Sequence, residues 1–125
     1  MKTASHFTYK GPGRVVISLG NPRGVPGGYK MFKALAPDRD MLKLGYHDYR
    51  RRFMAKLDEL DAKATWDKLH ELAGEGNEPI LQCFESPPFT SASWCHRRMV
   101  SEWFERELGE KVPELNYDGP DYFGR

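Results

Sequence analysis

Ile80-Leu81-Gln82-Cys83-Phe84-Glu85, followed ten residues later by Cys95-His96-Arg97-Arg98, decides how this chain is read. The run from Pro79 to Glu85 is short, apolar and bounded by turn formers, which predicts a buried strand. From Cys95 to Leu108 the apolar residues Met99, Val100, Trp103, Phe104 and Leu108 recur at helical spacing, and Gly109 supplies a stop. The two segments form a strand-to-helix crossover. Both cysteines and one of the four histidines fall within it.

Upstream, Val15-Val16-Ile17-Ser18-Leu19 is a β-branched run between Gly11-Pro12-Gly13 and Gly20-Asn21-Pro22, and predicts another buried strand. The loop from Asn21 to Tyr29 carries Gly24, Pro26, Gly27 and Gly28, a composition that lets backbone approach a ligand closely. Ala36-Pro37-Asp38 predicts a helix start, with Met41, Leu42 and Leu44 apolar and Gly45 as its stop. A stronger helix is predicted from about His47 to Leu60, with Tyr49, Phe53, Leu57 and Leu60 on one face. Trp66, Leu69, Leu72 and Ala73 mark another, ended by Gly74 and Gly76. Lys111 to Leu115 predicts a short strand, placed at an edge by Pro113.

Strands interleaved with helices imply crossovers and a mainly parallel sheet. The expected architecture is one compact three-layer α/β domain over residues 1–125, a small sheet with flanking helices, and 116–125 as a polar, aromatic tail. A length of 125 residues suits a single domain, and 30% charged against 39% hydrophobic residues is ordinary for a globule. No apolar run approaches the ~20 residues of a membrane span, and Met1 to His6 lacks the hydrophobic segment of a secretory signal. A cytoplasmic chain with both cysteines reduced is therefore expected. A net charge of +1 argues against broad electrostatic binding to nucleic acid, and no sequence-specific nucleic-acid partner is expected. The Arg50-Arg51-Arg52 run reads as a solvated helix face.

Ligands of parallel sheets bind beyond the carboxyl ends of the strands. Ser18 to Gly20, with Asn21 and Pro22, and Cys83 to Glu85 lie at such ends. The Gly/Pro loop and the Cys-His-Arg segment are expected to face each other across one crevice. Cys95, His96 and Arg97 fall in a first helical turn, where an anion is favoured. Arg97 or Arg98 offers it a two-point grip. Glu85 suits a sugar hydroxyl, or an ion pair with one of those arginines. Tyr29, Phe89 and Trp94 are candidates to stack on a base. Cys83 also reads as a plain core residue. By residue type Cys83, Glu85, Cys95 and His96 suit zinc, but the spacing lacks the Cys-x-x-Cys pairs of structural sites, so no metal or cofactor is assigned.

These motifs resemble the domain of unknown function 488 family, in which an apolar strand ends in Cys-x-Glu and Cys-His-Arg opens a helix. Leu81 to Glu85 and Cys95 to Trp103 carry the likeness, with Ile17 to Pro22, Leu35-Ala36-Pro37 and the segment from Tyr49 onward, over about residues 14 to 115. The linker Ser86 to Trp94 is longer than the family pattern. The resemblance implies a compact parallel α/β fold with Cys83, Glu85, Cys95, His96 and Arg97 in a shared site. It implies no activity. By analogy with other small strand-end crevices, the expected function is binding of a phosphorylated nucleotide or nucleoside derivative, for sequestration or sensing as in some bacterial or phage proteins. The alternatives are a nucleotide-processing enzyme using Glu85, Cys95 and His96, and a protein-interaction module using Tyr117, Tyr122 and Phe123. Oligomerisation is left open.

Overall fold

A computed structural model describes residues 1–120. Four strands, β1 (Lys2–Ser5), β2 (Arg14–Val16), β3 (Lys30–Met31) and β4 (Ile80–Cys83), form one sheet in the order β1-β4-β2-β3. Every pairing is parallel, with Thr3 opposite Leu81 and Val15 opposite Leu81 on the other side of β4. β4 is therefore central, and its continuous burial matches its apolar sequence. Three α-helices follow the crossover logic: α1 (Tyr46–Asp58), α2 (Ala62–Ala73) and α3 (His96–Leu108).

Side chains alternate across a strand, and this sheet uses both faces. Val15, Ile17 and Leu81 join a core with Phe53 and Leu57 of α1, Leu69 of α2 and Met99, Trp103 and Phe104 of α3. The opposite face, bearing Arg14 and Gln82, is covered by loops. Gln82 donates to the Ser5 and Tyr9 carbonyls, and Arg14 to those of Gly11, Pro26 and Gly27. The three layers are thus helices, sheet and loops. The Asn21–Tyr29 loop belongs to the third layer and holds Arg14, whose guanidinium lies over the Tyr29 ring at 5.8 Å.

The helix expected from Ala36 to Gly45 is a 3₁₀ segment, Arg39–Lys43, and another short 3₁₀ turn, Lys33–Leu35, precedes it. Leu44 N–H closes on Met41 through an i→i+3 bond, and Gly45, extended at φ −72°, caps α1 instead of ending a helix. The segment expected as an edge strand at 111–115 makes one parallel bridge, Thr3 to Glu114, on the free side of β1. Pro113 has no N–H to extend it, and the Val112 carbonyl is taken by Ser101 and Arg98. Asp61 caps α2, accepting from Ala64 N–H at 2.8 Å. Gly109 ends α3 in the left-handed region at φ 70°. Gly13, at φ 84°, passes so close to the segment leading into β4 that a Cβ there would lie 2.1 Å from the Glu78 carbonyl oxygen. The three arginines at 50–52 pair with Glu102, Asp48 and Asp40. No described helix is long and apolar enough to cross a membrane.

Candidate functional site

A cavity of about 270 Å³ opens beyond the carboxyl ends of β2 and β4. Ser18, Leu19 and Gly20 leave β2 into it, and Cys83, Phe84 and Glu85 leave β4. Trp94 and His96 come from the start of α3, Tyr49 from α1, and Pro37 and Leu42 from the 3₁₀ segment. The strand-end rule therefore brings Ser18, Gly20, Cys83, Glu85 and His96 to one wall, as their positions in the sequence suggest. Asn21 is exposed and Pro22 buried, and neither lines the cavity.

The apolar part is built from rings. Trp94 stands edge-on to Tyr46 and Tyr49, with centroids 5.4 and 5.6 Å away. Phe84 packs edge-on against His6 at 4.6 Å and remains partly exposed. Tyr49 is buried, and that burial, with the charge of Glu85, pushes its phenol well above the ordinary range. The phenol is thus a neutral donor throughout physiological pH.

His96 is 5% exposed, and its Nε2 lies 2.7 Å from the Ile17 carbonyl oxygen. A carbonyl only accepts, so Nε2 carries the proton and Nδ1 keeps its lone pair. Nδ1 faces the Cys95 Sγ at 3.9 Å. Burial pushes His96 down to about 4, opposed by the Ile17 bond and aided by the Arg97 charge. His6, which the sequence did not single out, sits at the end of β1 with Nε2 3.0 Å from Ser18 Oγ. Ser18 donates its own proton to the Gly20 carbonyl at 2.8 Å, so His6 donates to Ser18. Burial first, then the Arg97 charge, also lower His6 to about 4.

Both imidazoles are neutral in the fold and take up protons on unfolding below pH 6.5. Their stabilisation is complete above that value and is lost as pH falls toward 4. Urea unfolding should lose on the order of 1–2 kcal/mol per histidine between pH 7 and 5. A His96→Gln variant should show a shallower fall, and an equal slope in that variant would contradict the assignment.

Arg97 and Arg98 turn away from the cavity, against the expected anion grip. Arg97 is fully buried and forms a two-point pair with Glu114, Nε to Oε1 at 2.9 Å and Nη2 to Oε2 at 2.7 Å. Its Nη1 donates to Cys83 Sγ at 3.2 Å, and the Phe89 ring lies beneath the guanidinium at 5.1 Å. Arg98 donates to Thr3 Oγ1 and the Val112 carbonyl. The cause is helical phase: successive residues diverge by ~100°, so His96, Arg97 and Arg98 cannot share one wall. Glu114, the partner of Arg97 in place of Glu85, follows Pro113 in the segment that bridges to Thr3 and carries no sequence signal.

The cysteines are also corrected. Cys83, ending β4, and Cys95, capping α3, are joined by a disulfide instead of being two free thiols. In this state Cys95 is no nucleophile. Phe89 packs with the disulfide and with Tyr117, so it is no stacking platform in the cavity, and Tyr29 lies over Arg14. Tyr122 and Phe123 fall outside the described residues.

The fold and cavity define a small all-parallel α/β domain with a strand-end site. The chain belongs to the family described as the domain of unknown function DUF488, whose family model matches residues 22–104. No curated protein and no solved structure matches it.

Proposed function

We propose that this domain binds a small nucleoside-type ligand bearing a phosphate or similar anion, in the cytoplasm, for sequestration or sensing. The observation carrying this reading is the cavity at the strand carboxyl ends, whose wall Glu85 lines together with Trp94, Phe84 and Tyr49. A flat base suits the rings. A sugar hydroxyl suits Glu85, with Ser18 and His96 as further hydrogen-bonding groups. The anion is assigned to the amino-terminal turn of α3, which Cys95 leaves without a side-chain cap. The arginines Arg97 and Arg98 are given no part in holding it. At about 270 Å³ the cavity is slightly below the ~300–1,000 Å³ usual for ligand pockets. That favours one base-and-sugar unit over a dinucleotide.

Calorimetric titration with nucleosides, nucleoside monophosphates, ADP-ribose and cyclic dinucleotides tests this. Mononucleoside-type compounds should bind and be recovered with unchanged mass. Glu85→Gln and Trp94→Ala should each weaken binding by about tenfold or more, the worth of a charged hydrogen bond or a stacked ring. Full affinity in both variants, or no binding by any compound, would reject the reading. Altered mass would instead favour the enzyme alternative. That alternative draws on Glu85 and the lone pair of the neutral His96 as an acid–base pair, without Cys95 as nucleophile.

A further inference from the structure

Cys83, Cys95 and His96 do more than close a loop. Their ligand-type atoms, two sulfurs and one imidazole nitrogen, all lie within 4.8 Å of one another, and all three residues are buried. We infer that, once the Cys83–Cys95 disulfide is reduced, these three residues hold a divalent ion of the zinc class in the wall of the cavity. The assignment rests on these three residues and not on the identity of the cavity's ligand.

Four features support it. In a tetrahedral site with Zn–S ~2.3 Å and Zn–N ~2.0 Å, sulfur and nitrogen stand roughly 3.5 Å apart. Cys95 Sγ and His96 Nδ1 already stand 3.9 Å apart. His96 is oriented as metal-bound histidines are, its Nε2–H held by the Ile17 carbonyl and its Nδ1 lone pair left for a ligand bond. Cys83 Sγ accepts a hydrogen bond from Arg97 Nη1, which favours the thiolate, while Glu114 neutralises the arginine so that its charge does not oppose a cation. The Cα atoms of the two cysteines are 7.5 Å apart, outside the ~4.4–6.8 Å usual for disulfides. With the S–S bond broken, that backbone spacing leaves the two sulfurs room to part to the roughly 3.8 Å of two thiolates on one tetrahedral ion.

Three protein ligands leave a fourth position. Cys83 and His96 both line the cavity, so a water or ligand there could take that position, as in catalytic rather than structural zinc. The chemistry balances with a dithiol as reductant. The dithiol gives two electrons and two protons to the cysteine sulfurs as the S–S bond breaks, and closes to its own disulfide. The ion then displaces both thiol protons to solvent. Disulfide and metal forms exclude each other, which makes metal loading depend on redox state.

The test uses the full chain, reduced, freed of reductant without air, and titrated with Co²⁺ alone. The reduced chain should bind one Co²⁺ with an intense thiolate-to-cobalt charge-transfer band and the visible bands of tetrahedral cobalt, and Zn²⁺ should bleach them. The unreduced chain should show neither. Cys83→Ser should lose most of the charge-transfer intensity. His96→Ala should bind at least ~100-fold more weakly, beyond the ~10–100-fold that loss of an outer-shell partner costs. Because His96 packs against Phe53, circular dichroism of each variant accompanies the titration. The wild-type comparison needs no substitution. A reduced chain without the thiolate band overturns the inference, as does an equal band in the unreduced chain or an unchanged spectrum in a folded His96→Ala chain.

Discussion

Arg97→Met is expected to destabilise the domain by about 3–5 kcal/mol, because it leaves a carboxylate buried without its cation. Glu114 is almost fully buried, receives two of the Arg97 nitrogens, and also accepts from Thr3 Oγ1 at 2.6 Å. Thr3 is on β1, Glu114 lies on the 112–115 segment beside it, and Arg97 is on α3. The pair therefore ties the sheet edge to the helix that carries His96. For a domain of 125 residues the loss corresponds to a melting temperature lower by roughly 10–20 °C. Removing both charges, in Arg97→Met/Glu114→Leu, should restore part of the loss, since the cost lies in the unpaired ion more than in the absent bond. Thermal unfolding of the wild type and the two variants measures this. A change below about 1 kcal/mol in Arg97→Met would mean that the guanidinium is not held by Glu114. It would return Arg97 to the role of a ligand grip.

Reduction of the disulfide is expected to cost about 3 kcal/mol, the loop-closure entropy of a short cross-linked loop. Cys83 and Cys95 are separated by 12 positions. The loop they close contains Phe84, Glu85 and Trp94, three residues of the cavity wall. The loss should thus appear as a lower urea midpoint and as weaker ligand binding together. The Cys83→Ser/Cys95→Ser variant should behave like the reduced wild type in both. Zinc should then raise the melting temperature of the reduced wild type, whose fold brings the three ligands together, but not of the double variant, which lacks both thiolates. An unchanged urea midpoint on reduction would contradict the cross-link as a stabilising element.

The parts of the fold legible in the sequence are those where burial is written in apolar residues. Val15 to Leu19, Ile80 to Cys83 and the Met99-Trp103-Phe104 stripe announce two strands and a helix by periodicity, and they are β2, β4 and α3. β1 was not legible. Lys2-Thr3-Ala4-Ser5 has one apolar residue, and it is a strand because β4 on one side and Leu115 and Pro113 on the other take its backbone groups. β3 is two residues long and follows β2 only by pairing. Among the site residues, Ser18, Gly20, Cys83, Glu85 and His96 were reachable because strand ends in parallel sheets converge. The directions of Arg97 and Arg98 were not, since they depend on the phase of α3 relative to the sheet. Tyr49 reads as a core position of a helix and is one, yet its ring also closes the cavity. The bond between Cys83 and Cys95 depends on the cap geometry of α3, which residue spacing does not encode.

The most direct test of the strand-end site is an amide chemical-shift map of the labelled protein during titration with a nucleoside monophosphate. Perturbations should cluster at 18–20, 83–85 and 94–96 and be lost in Glu85→Gln. Shifts confined to the outer faces of α1 and α3, or none at saturating ligand, would contradict it.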